Sequence, residues 1–77
     1  MQYDESKIDD TVLALFSLTL HDGVRAWKNH DWEAMSRLYE KGMIANPVNK
    51  AKSVVLTQEG LEESERLFKE MFSKGSD

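Results

Sequence analysis

Apolar residues Ile8, Val12, Leu13, Leu15, Phe16, Leu18 and Leu20 recur through the first third of the chain. They predict a helix from about Asp4 to Ser6 through to about His21, with Asp9 and Asp10 in early turns where carboxylates suit the helix dipole. Placed at about 100° per residue, the apolar side chains cover well over half the circumference, more than one packing neighbour needs. The helix is therefore expected to be central, or to bury its spare side against a second copy. Asp22-Gly23 breaks or kinks it, and Val24, Ala26 and Trp27 then read as a short second helix before Asn29 to Asp31. The competing reading absorbs Gly23, at roughly 1 kcal/mol relative to Ala, into one long rod.

Trp32, Ala34, Met35, Leu38 and Tyr39 gather on one side of a helix capped by Asp31 and stopped by Lys41-Gly42, giving a span of about Trp32 to Lys41. Beyond it, apolar Met43 to Ala45, the Asn46-Pro47 turn signal and β-branched Ser53 to Leu56 predict a two-stranded ribbon. Thr57 caps a last helix, with Leu56 and Leu61 placed for a hydrophobic staple. That helix, about Gln58 to Ser73, carries Leu61, Ser64, Leu67, Phe68, Met71 and Phe72 on one face. Glu62, Glu63, Glu65, Arg66, Lys69 and Glu70 lie on the other, with Glu62–Arg66 and Glu65–Lys69 at i, i+4 spacing. The expected core is Ile8, Val12, Leu15, Phe16, Trp32, Met35, Leu38, Ile44, Val54, Leu56, Leu61, Phe68, Met71 and Phe72.

The run RLYEKGMI, a loop, then VVLTQEGL resembles the closing half of a winged-helix domain over roughly Trp32 to Leu61. In that family a helix ending in a Gly-Leu/Ile pattern precedes the wing, and Leu-Thr-x-x-Gly opens the last helix. LTLHDGVRAWK and KAKSVVLTQEG are similar to a family of small uncharacterised bacterial proteins, a likeness that implies no activity. Together these give the expected fold class: α+β, a small winged-helix-like domain of three to four helices with one two-stranded ribbon before the last helix. Residues 1–77 read as a single domain with flexible ends at 1–5 and 74–77.

The chain has no cysteine, so disulfides, thiolate nucleophiles and Cys-based metal sites are excluded. MQYDESKIDD is unlike a secretory signal, which makes a cytoplasmic location the expectation. The apolar-rich stretch Thr11 to Leu20 is far shorter than the roughly 20 residues a bilayer needs. Net charge is −4 but uneven: residues 1–22 hold five acids and one base, residues 23–56 three acids and six bases, and residues 57–77 six acids and three bases. Only the middle could attract a polyanion.

His21-Asp22 and His30-Asp31 are the metal-ligand candidates, yet His21 suits a helix end and Asp31 a cap, so no metal and no cofactor is expected. Ser17, Ser36, Ser53 and Ser64 lie in no nucleophile elbow, and there is no glycine-rich phosphate loop. An enzyme is therefore not expected. The leading expectation is a non-catalytic interaction module that self-associates as a homodimer through Leu13, Leu18 and Leu20, with Trp27 and Trp32 as further anchors for a protein partner. The alternative is a winged-helix, helix-turn-helix DNA-binding regulator. Arg37 would read bases and Lys41, Lys50, Lys52, Arg25 and Lys28 would meet phosphate, although Glu33 pairs with Arg37 at i, i+4 and, with Glu40, repels phosphate. A nucleic-acid partner is thus not favoured, and no membrane role is expected, the last helix being acidic on its polar face.

Overall fold

The computed structural model describes residues 2–28 and 31–74. Helix α1 (Glu5–Leu15) begins where the Asp4 carboxylate accepts the Lys7 N–H at 3.1 Å, within the expected start at Asp4 to Ser6. It stops well short of His21 and tightens into one 3₁₀ turn, Phe16–Leu18. Thr19 then turns the chain outward, its hydroxyl accepting the Trp27 N–H at 3.1 Å.

Asp22 and Gly23 take left-handed φ of 52° and 79°, and His21 and Arg25 exchange both backbone hydrogen bonds across them, at 2.7 and 2.9 Å. Asp-Gly is thus a tight hairpin turn rather than a helix kink. The chain leaves this turn as strand β1 (Arg25–Trp27), in place of the expected short helix and of the long rod. Its alternation of exposed Arg25, buried Ala26 and exposed Trp27 is a period of two, which three residues cannot distinguish from a helical turn by composition. The remainder of that expected segment, Asn29 and His30, lies outside the described residues.

Helix α2 (Trp32–Glu40), strand β2 (Ser53–Val55) and helix α3 (Gln58–Phe72) complete the fold. The protein is α+β, with three α-helices and a two-stranded antiparallel sheet among the described residues. The sheet is built differently from the expected ribbon. β2 pairs with β1 in the register Arg25↔Val55, Ala26↔Val54 and Trp27↔Ser53, while the Met43 to Ala45 segment contributes one bridge, Ile44↔Leu56, and an Ala45 N–H bond to the Val55 carbonyl at 2.8 Å.

The junction of α2 with α3 follows from local chemistry. Gly42, at φ 80°, ends α2 with paired bonds from its own N–H to the Tyr39 carbonyl (3.0 Å) and from the Met43 N–H to the Leu38 carbonyl (2.9 Å). Thr57 ties both helices: its hydroxyl donates to the Gly42 carbonyl at 2.7 Å and accepts the Gly60 N–H at 3.0 Å, while its own N–H reaches the Met43 carbonyl at 3.0 Å. At Gly60 a Cβ would collide with that Met43 carbonyl, so the Leu-Thr-x-x-Gly motif records a close backbone approach.

Helix α1 packs against both α2 and α3, which absorbs the apolar breadth of its surface. The core comprises Val12, Leu13, Ala14, Phe16, Ala26, Ala34, Met35, Leu38, Ile44, Val54, Leu56 and Leu67, with Ile8, Met43, Leu61 and Phe68 against it. Trp32, Met71 and Phe72, expected inside, are substantially exposed, at the first residue of α2 and the last two of α3. Ser64, buried on α3, donates to the Leu13 carbonyl at 2.7 Å and accepts from the Ser17 hydroxyl at 2.8 Å.

Candidate interaction surface

The six cations singled out in the sequence divide into two groups. Arg37 and Lys41, one turn apart at the end of α2, close on Asp9 of α1, a carboxylate only 1 % exposed. Arg37 Nε lies 3.0 and 2.9 Å from Oδ1 and Oδ2, Arg37 Nη2 2.9 Å from Oδ1, and Lys41 Nζ 2.9 Å from Oδ2. Glu5, one turn before Asp9, adds an ion pair to Arg37 at 3.5 Å. Burial alone would raise the Asp9 pKa, but the hydrogen bonds from Arg37 and Lys41 outweigh it and hold the carboxyl below its ordinary range. The bond to Asp9 correspondingly raises Arg37. Arg37 therefore pairs across helices and not with Glu33, so the cation expected to read bases and Lys41, expected to meet phosphate, are both already engaged.

Arg25 opens β1, Lys28 follows it with its N–H on the Lys52 carbonyl at 3.0 Å, and Lys50 lies in the loop before β2; these four, grouped as the sheet end, pair with no carboxylate among the described residues. Lys28 holds the neighbouring loop together, its ammonium donating to the carbonyls of Pro47 (2.8 Å) and Asn49 (3.2 Å) and to Asn49 Oδ1 (3.0 Å). Asn46 and Asn49 turn the same loop by accepting the N–H of Val48 and Ala51, each at 2.9 Å. Arg25, Lys50 and Lys52 are exposed.

Sheet pleating puts Ala26 and Val54 inside and Arg25, Trp27 and Val55 outside. The Trp27 ring, 47 % exposed, stacks on His21 with centroids 4.6 Å apart, and His21 Nδ1 donates to the Thr19 carbonyl at 2.9 Å. His21 thus supports an exposed tryptophan; its metal-candidate partner His30 lies outside the described residues. Of the proposed self-association residues, Leu13 is 2 % exposed and belongs to the core, because α1 is flanked on both sides. Leu18 and Leu20, at 67 % and 41 %, remain open. They join Val24 and Trp27 as an exposed apolar run along the 3₁₀ turn and hairpin, a surface the sequence hides because Val24 and Trp27 read as helical there.

On α3, Lys69 pairs with Glu65 as expected. Arg66 bridges Glu63 and Glu70 rather than Glu62, its hydrogen bond lowering the Glu63 pKa, and Glu62 accepts from Gln58. An open apolar hollow of about 260 Å³ lies along Lys7, Ile8, Thr11 and Val12 of α1, away from both histidines in sequence. Among the described residues no helix is long and apolar enough to cross a membrane.

Residues 4–74 match the family described as a domain of unknown function, DUF6429. The chain is 57 % identical over 74 residues to the uncharacterized protein y4hR of Sinorhizobium fredii (strain NBRC 101917 / NGR234), covering 96 % of this chain and 100 % of that relative. No solved structure matches it. The chain belongs to the DUF6429 family of small uncharacterised bacterial proteins.

Proposed function

We propose that this protein is a non-catalytic interaction module that self-associates, most simply as a two-fold dimer. The observation carrying this reading is the exposed apolar run of Leu18, Leu20, Val24 and Trp27, which the core leaves uncovered. Trp27 supplies a broad, half-exposed anchor of the kind that dominates binding energy. The non-catalytic part draws on the buried polar groups: Asp9 and Ser64 are consumed by interhelical contacts. Sedimentation over a range of concentrations tests the reading. A dimer is expected, weakened by Leu18→Glu or Leu20→Glu with the circular dichroism spectrum unchanged. A strict monomer at high concentration overturns it.

A further inference from the structure

Resting on that self-association reading, we infer that the sheet end of one copy docks on the outer face of α3 of a second copy. The two surfaces carry opposite charge. Arg25 stands opposite Val55 in the sheet, and Lys50 and Lys52 lead into β2; all three are exposed and none pairs with a carboxylate among the described residues, while the Lys28 ammonium holds the adjoining loop. α3 bears five glutamates and two cations, and both cations are already engaged, Arg66 with Glu63 and Glu70 and Lys69 with Glu65. Glu59 and Glu62 are left exposed without a cation among the described residues. The sheet end also exposes apolar groups, Trp27 and Val55, beside its cations.

Like surfaces cannot meet. A sheet end facing its own copy would set Arg25 and Lys52 against themselves, and two α3 faces would oppose glutamates, so each copy must offer one face to the other's complement. With an overall charge of −4, general repulsion opposes association, and the local complementarity must supply the orientation.

Charge reversal distinguishes this contact from self-association in general. Arg25, Lys52, Glu59 and Glu62 are all exposed, so R25E/K52E and E59K/E62K are expected to fold, which a thermal melt checks. Sedimentation of the full chain should show wild-type association weakening on the order of tenfold between about 0.05 and 0.5 M salt. Each double variant alone should associate at least about tenfold more weakly, and an equimolar mixture should recover most of the wild-type affinity, because opposite charges then face each other at both contacts. Salt-indifferent association, or a mixture no better than its components, overturns the assignment. If reversals leave the dimer intact while Leu20→Glu breaks it, self-association stands and this pair of faces is wrong. A wild type that stays monomeric yet shifts the anisotropy of a labelled single-stranded oligonucleotide assigns the cations to nucleic acid and overturns both readings.

Discussion

The end of α2 and the sheet end draw on the same basic stretch of sequence and put it to opposite uses. At the end of α2, Arg37 and Lys41 converge on one buried carboxylate and hold α1 against α2. At the sheet end, Arg25, Lys50 and Lys52 stay exposed without an acid among the described residues, and Lys28 serves carbonyls. A linear count of charge therefore overstates the field available to a polyanion, because two of the six cations are balanced by Asp9 and Glu5 of another helix, Asp9 lying 28 positions from Arg37. Fold decides which charges remain for partners.

Removing the carboxylate should break that contrast most severely. Asp9→Ala removes the buried acceptor from Arg37 and Lys41, which are themselves partly exposed, and a loss of about 2–3 kcal/mol, on the order of 10–15 °C in Tm, is expected for losing these charge-assisted hydrogen bonds. A melt within a few degrees of wild type would show that the interhelical contact is not stabilising. Asp9→Asn adds a pH signature. The folded-state pKa of Asp9 is depressed, so its contribution is fully present above the unfolded value of about 3.9 and is lost as pH falls through the folded value. The stability gap between wild type and Asp9→Asn should be constant above about pH 5 and close progressively below pH 4. A gap undiminished in strong acid would show that the ionised carboxylate is not its source.

Features written within a few residues were legible in the sequence. The Asp31 and Thr57 caps, the Gly42 stop and the limits of α2 and α3 all rest on contacts of short sequence separation, and the structure has them. The Asp9 cluster joins residues on different helices, and its one sequence trace is the parallel spacing of Glu5 with Asp9 and Arg37 with Lys41, each one turn apart. Strand β1 is not legible in the sequence because Asp-Gly serves a helix break and a hairpin equally well, and three residues carry too little periodicity to choose. Leu13 reads as a self-association residue for a related reason: a broad apolar helix surface shows that neighbours exist without showing that they are α2 and α3 of the same chain.

A smaller effect comes from the cation that works without a carboxylate. Lys28→Met keeps the aliphatic stem and removes three donors from the loop, leaving the carbonyl of buried Pro47 without its ammonium partner. The expected cost is about 1–2 kcal/mol by thermal melt, together with faster proteolytic nicking between Asn46 and Lys52. An unchanged melt and unchanged nicking would return Lys28 to the same class as its exposed neighbours.

The smallest effect is expected where the charges are free. Arg25→Ala and Lys52→Ala remove exposed side chains without an ion-pair partner among the described residues, so each should leave stability within about 0.5 kcal/mol of wild type. Arg25 sits opposite Val55 and gains no cross-strand charge partner there, so its truncation should not loosen the sheet. Their insensitivity beside the large loss in Asp9→Ala would establish that one basic stretch holds both structural and surplus cations. A loss near 2 kcal/mol at either position would instead reveal an intramolecular acceptor and remove that residue from the charge offered to a partner.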